Sequence, residues 1–150
     1  MKEIQRFQDS LLLIRRTVGW TAEEFGEKIG VTRQTINNLE GKKVPLNKTV
    51  YIAMRSVLDN EIKTYPNDTE MLLVILDIFV DNPEKYSDTQ RKELLAKANL
   101  MSPAILAKTT SRKTVSQEWL KTAGAILGTA IGIGTITIGA WLTKIWTNKK

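Results

Sequence analysis

Short helices joined by tight turns are written into the amino-terminal third of this chain. A glycine and a capping hydroxyl recur together at Gly19-Trp20-Thr21 and Gly30-Val31-Thr32, and a third break follows at Gly41-Lys42-Lys43-Val44-Pro45. Glycine adopts the left-handed backbone that ends a helix, and the threonine after it can accept from the free N–H groups that begin the next. Between the breaks the apolar residues keep helical spacing: Phe25 and Ile29 share one face, Ile36 and Leu39 another. Segments this short are not stable alone in water, so they must pack against one another. The fold class expected is all-α. No strand pair with a tight hairpin turn occurs, and only Ile131–Ile138, where Ile alternates with Gly and Thr, looks strand-like.

Composition removes most catalytic chemistry. The 150 residues include no Cys and no His, which excludes disulfides and thiolate metal sites and takes away the commonest metal ligand and general base. We therefore expect no enzyme activity, no cofactor and no metal. The formal net charge of +6 suits a partner that carries phosphate. Its distribution is uneven: residues 1–64 carry 11 Lys+Arg against 8 Asp+Glu, residues 65–118 carry 7 against 8, and residues 119–150 carry 4 Lys and no acid. Met1–Ser10 is charged and amphipathic and does not read as a secretory signal.

The middle of the chain also reads as helical. Asn67 or Asp68 can cap an apolar run from Met71 to Val80, which Asn82-Pro83 stops. Ser87 through Gln90 looks like a helix start leading through Leu94, Leu95 and Leu100, and Ser102-Pro103 is expected to open a further short helix. Thr109–Thr114 reads as a linker, and Thr114-Val115-Ser116-Gln117 as a capping box that begins the last helix.

The stretch from Thr21 to Glu40 has the parts of a helix pair built to expose its second member. Thr21 caps the first helix, Gly26 suits a close crossing, Gly30 the turn, and Thr32 caps the second. With Ile36 and Leu39 turned inward, Arg33, Gln34, Asn37 and Asn38 face out. Arginine can pair in bidentate fashion with guanine O6 and N7, and Gln or Asn with adenine N6 and N7. The free N–H groups at Thr32 suit a phosphate, and Lys42 and Lys43 are placed for the flanking backbone. The expected partner is double-stranded DNA.

These residues resemble the Cro/phage-repressor (Xre-type) helix-turn-helix family, over about residues 11–61. The pattern shared with it consists of Arg15, the entry Gly19-Trp20-Thr21, the two helices, Glu40 and Gly41-Lys42-Lys43-Val44-Pro45. The Asn that often precedes the loop glycine is missing, and Trp20 stands where an aliphatic residue is usual. The resemblance implies a structural ion pair between Arg15 and Glu40. It also implies a fourth helix over Asn47–Leu58, with Tyr51, Ile52, Met54 and Val57 or Leu58 available for its core.

At the other end, the 22 residues from Thr122 to Thr143 carry no charge and are bounded by Lys121 and Lys144. A helix of that length, at ~1.5 Å per residue, spans the roughly 30 Å core of a bilayer. Trp119, Trp141 and Trp146 flank it as interfacial aromatics do, with Lys144, Lys149 and Lys150 in reach of headgroups. Gly124, Gly128 and Gly132 are spaced by four, and Thr135 and Gly139 continue a small-residue face suited to close helix contact in lipid, a glycine zipper.

The organisation expected is a helix-turn-helix domain over 1–64, a helical dimerisation or sensor region over 65–116, a single transmembrane helix over 117–146 and a basic tail over 147–150. The chain then reads as a membrane-anchored, sequence-specific transcriptional regulator at the inner (cytoplasmic) membrane, its DNA-binding end in the cytoplasm, acting as a homodimer or higher homo-oligomer on the lipid bilayer. The competing reading is a membrane effector of the pore-forming, toxin or phage-defence type, whose helix-turn-helix senses nucleic acid or regulates its own expression.

Overall fold

The computed structural model describes residues 2–127, all of whose regular elements are helices. They are α1 (Lys2–Asp9), α2 (Leu11–Val18), α3 (Ala22–Ile29), α4 (Arg33–Glu40), α5 (Lys48–Thr64), α6 (Glu70–Leu76), α7 (Asp88–Leu106) and α8 (Arg112–Leu127). A π-helical turn at Asp77–Asp81 extends α6, and a short 3-10 turn at Pro83–Lys85 leads into α7.

Local chemistry explains most of the boundaries. Gly19 and Gly30 end α2 and α3 in the left-handed conformation, at φ 85° and 81°. The third break works differently: Gly41 is right-handed at φ −80°, and Lys42 takes the positive φ of 58°. Asn47 caps α5, its side chain accepting from the Val50 N–H at 2.8 Å, and this helix runs on to Thr64, beyond the Leu58 expected. Ser87 and Gln90 form the capping box of α7, as the sequence suggests.

Three expected caps lie elsewhere. Neither Asn67 nor Asp68 caps α6; Thr69 precedes it, with its hydroxyl donating back to the Tyr65 carbonyl at 2.8 Å. A distant residue serves instead, Ser116 of α8, whose hydroxyl oxygen accepts from the Met71 N–H at 3.3 Å. Ser102-Pro103 opens no new helix. It lies in the last turns of the continuous α7, where Pro103 leaves the Asn99 carbonyl, on an exposed residue, without its helical N–H donor. The last helix starts at Arg112, not Thr114, because Ser111 supplies the cap and accepts from the Thr114 N–H at 3.2 Å.

One core holds all of these helices. Phe7, Leu11, Ile14 and Phe25 from the amino-terminal end share it with Met54, Leu58, Ile75, Leu94, Val115 and Trp119, so the division at residue 64 corresponds to no gap in packing. Helix α7 lies along α2, and α8 packs against α6 and α7. Trp119, expected at a membrane flank, is fully buried, and its indole N–H donates to the Leu94 carbonyl at 3.4 Å. Leu120 and Ala123 are buried beside it. Trp119, Leu120 and Ala123 of the expected membrane helix thus belong to the core, while Gln117, Glu118 and Lys121 are exposed.

At Gly124 an added Cβ would meet nothing within 4 Å, so packing inside the bundle does not require that glycine. Gly128, Gly132, Thr135 and Gly139, with Trp141 and Trp146, lie outside the described residues. Among the described residues no helix is long and apolar enough to cross a membrane.

Candidate nucleic-acid interface

The interface is built on α3 and α4, and the chain between them leaves little freedom. Thr21 caps α3 in a full capping box: its hydroxyl accepts from the Glu24 N–H at 3.0 Å, and its own N–H donates to the Glu24 carboxylate at 3.0 Å. That backbone hydrogen bond, first among several causes, holds the Glu24 carboxyl below its usual range. Gly26 is where the two helices meet. A Cβ there would stand 2.6 Å from the Val31 backbone oxygen, a contact that no rotamer change relieves. The Gly26 carbonyl also accepts from the Gly30 and Val31 N–H groups at 2.8 and 2.9 Å, which folds the turn back onto the helix end.

Thr32 then starts α4 from extended backbone, at φ −81° and ψ 160°, with its hydroxyl accepting from the Thr35 N–H at 3.1 Å. Ile36 and Leu39 are buried, so the opposite face is turned to solvent with Thr32, Arg33, Gln34 and Asn37 exposed on it. Asn38, expected to face out with them, is half-buried. It accepts from the Gln34 side-chain amide at 2.9 Å, which leaves it orienting Gln34 on that face.

A guanidinium anchors the far end of α4. Arg15 on α2 grips Glu40 at both carboxylate oxygens, Nε to Oε2 at 2.5 Å and Nη2 to Oε1 at 3.1 Å. Its third nitrogen, Nη1, donates to the Trp20 carbonyl at 2.9 Å. The two side chains are only 9% and 8% exposed, so the pair is shielded from water and salt.

A helix-turn-helix family model matches residues 11–62, of the Cro/phage-repressor type. Residues 11–62 form a helix-turn-helix domain. No curated protein and no solved structure matches the chain.

What holds this helix-turn-helix domain in register includes a residue before its first helix. Gln8 of α1 is buried against the α4–α5 loop. Its amide donates to the Leu39 and Val44 carbonyls at 3.0 and 2.8 Å, and its oxygen accepts from the Leu46 N–H at 3.0 Å. One side chain thus satisfies a backbone group in the last turn of α4 and two in the loop that carries Lys42 and Lys43. Sequence reasoning missed Gln8, since a lone glutamine on an amphipathic helix gives no sign of burial. The same helix touches the loop again, where the Lys42 ammonium lies 2.8 Å from an Asp9 carboxylate oxygen. Both groups of that pair are about half exposed, so a phosphate could compete for the lysine. Lys43 is exposed beside it.

Proposed function

We infer that the helix-turn-helix domain is that of a DNA-binding regulator. We propose that it reads sequence by placing α4 in the major groove, and that it acts by binding alone, without catalysis. The observation that carries this reading is the exposed face of α4: Arg33, Gln34 and Asn37, two types of base-pairing side chain with no acid among them. Helix α4 is Arg33–Glu40, short enough to enter a groove end-on, and the capped N-terminus at Thr32 offers its N–H groups to a phosphate. A second copy would supply the second recognition helix that paired half-sites require.

Selection from random duplexes with the full-length chain is expected to enrich one motif. Arg33→Ala or Gln34→Ala should then weaken binding to it by about 1–3 kcal/mol and relax the choice at the contacted base. A selection that enriches nothing would overturn the sequence-specific reading.

We further propose that the carboxy-terminal uncharged run anchors the regulator in the cytoplasmic membrane. Helix α8 packs on the core through Trp119, Leu120 and Ala123, with Ile126 and Leu127 partly buried against it, so the uncharged run left over is 128–143, 16 residues. At ~1.5 Å per residue that is roughly 24 Å, so the anchor matches a ~30 Å bilayer core only with the flank through Trp146 included and Lys144 reaching out to the headgroups. The full-length chain is expected to sediment with membranes and to resist extraction by high salt, while a chain ending at Leu127 stays in the soluble fraction. Full-length protein found in the soluble fraction would refute the anchor and leave the DNA reading intact.

A further inference from the structure

The charge of the middle region is sharply divided, and the division has a place in the fold. Residues 65–93 carry 3 Lys+Arg against 7 Asp+Glu, whereas residues 94–117 carry 4 Lys+Arg and no acid. The basic part is Lys97 on α7 together with Lys108, Arg112 and Lys113 at the α7–α8 loop.

That loop is fastened to the entrance of the helix-turn-helix. Arg112 reaches back across the turn between α2 and α3, donating to the Val18 carbonyl at 3.3 Å and pairing with Glu61 at 2.6 Å. A Cβ on Gly19 would come within 2.9 Å of Ile105 and 3.7 Å of Arg112, so loop and turn are in close contact. An open cleft of about 470 Å³ lies between them, lined by Gly19, Trp20 and residues Lys108 through Arg112. Arg112 is thereby occupied in holding the loop. Lys108 and Lys113 are exposed, and neither is within ion-pair distance of a described carboxylate. Lys108 stands in left-handed backbone at φ 60° and acts electrostatically on Glu24 in the first turn of α3.

When a helix-turn-helix docks, its second helix enters the major groove and its first crosses the phosphate backbone. Here the first helix is α3, and its starting end is the one the basic loop adjoins. That end carries Glu23 and Glu24, which would repel a phosphate unless nearby cations offset them. Lys108 is positioned to do so.

We propose that the α7–α8 loop, through Lys108 and Lys113, is an additional phosphate-contacting surface that extends the DNA footprint beyond residues 11–62. This inference rests on the DNA-binding reading above. Contacts of this kind add affinity without base choice, and each counterion they release steepens the salt dependence.

The test uses full-length protein in mild detergent and a duplex carrying the selected motif. The dissociation constant is measured from about 50 to 200 mM salt, the range over which phosphate contacts are most visible. The Lys108→Gln/Lys113→Gln double variant is expected to bind roughly ten-fold more weakly at the low end, with a salt slope smaller by about 1–2 and the same base preference. Lys92→Gln/Lys97→Gln, an equal charge change on the exposed side of α7, should stay within about two-fold of wild type. If wild type binds and the loop variant matches it in affinity and slope, the loop surface is refuted while the helix-turn-helix reading stands. Equal losses from both double variants would also refute it, since net charge alone would then explain the effect. Wild type that binds no duplex would overturn both readings.

Discussion

Glu40→Ala is expected to lower the unfolding free energy by about 3–5 kcal/mol, the range for breaking a buried ion pair by removing one partner. The cost comes from what remains. Arg15 would keep its hydrogen bond to the Trp20 carbonyl, yet two of its three nitrogens would face a cavity at a residue only 7% exposed. An exposed pair would instead be worth about 0–1 kcal/mol. The measurement is urea unfolding of wild type and variant, read as a shift in midpoint at constant slope. Glu27→Ala is a suitable reference, because Glu27 is exposed on α3, whereas Glu24 closes the Thr21 capping box. Glu40→Gln should fall between, keeping an acceptor for one N–H and losing the charge. A loss from Glu40→Ala no larger than that from Glu27→Ala would show that the pair behaves as a surface bridge.

Asp81→Ala is expected to have an effect of similar size, about 3–5 kcal/mol, for the same physical reason at a deeper site. The Arg55 side chain on α5 is 1% exposed and spans to Asp81 in the π-helical turn, Nη1 to Oδ1 at 3.1 Å and Nη2 to Oδ2 at 3.2 Å. Burial works against the Arg55 charge, and Asp81 above all, together with Tyr51 and Asp59, outweighs it, so its pKa is raised. This pair stitches the helix-turn-helix domain to the helices after it. The diagnostic comparison is Arg55→Met/Asp81→Ala, which removes the buried charge as well as its bidentate acceptor. The double variant should be clearly more stable than Asp81→Ala alone, because apolar replacement of both members of a buried pair is often tolerated. A double variant that loses as much as the sum of its singles would mean that the two charges are not coupled.

The sequence made some of this legible and hid the rest for reasons that particular residues show. Thr21, Thr32 and Ser87 could be read because each caps through its own neighbours, within three residues. Asn67 and Asp68 misled because the start of α6 is capped by Ser116, 45 residues from the Met71 N–H it serves, and no local pattern encodes that distance. Pro103 suggested a helix start because proline commonly occupies one, and tertiary packing of Ser102 and Ile105 carried α7 through it. Trp119 had the neighbours of an interfacial aromatic, and only the core contributed by α6 and α7 shows that it belongs inside. The exposed set Arg33, Gln34 and Asn37 followed from the spacing of Ile36 and Leu39. The half-buried place of Asn38 and its side-chain bond to Gln34 did not.

The triple hold of Gln8 bears on how this chain can vary. Surface loops generally accept inserted or deleted residues, because little depends on their length. The loop after α4 is exposed at Gly41 through Pro45, yet one amide meets its Leu39, Val44 and Leu46 backbone groups at fixed intervals. A residue added or lost between Leu39 and Val44 would slide those groups out of step with Gln8 and leave polar backbone buried without partners. Substitutions at Lys42, Lys43 and Val44 are open to drift in the course of descent, while the number of residues there is not. The loop can change its chemistry toward DNA only at constant length.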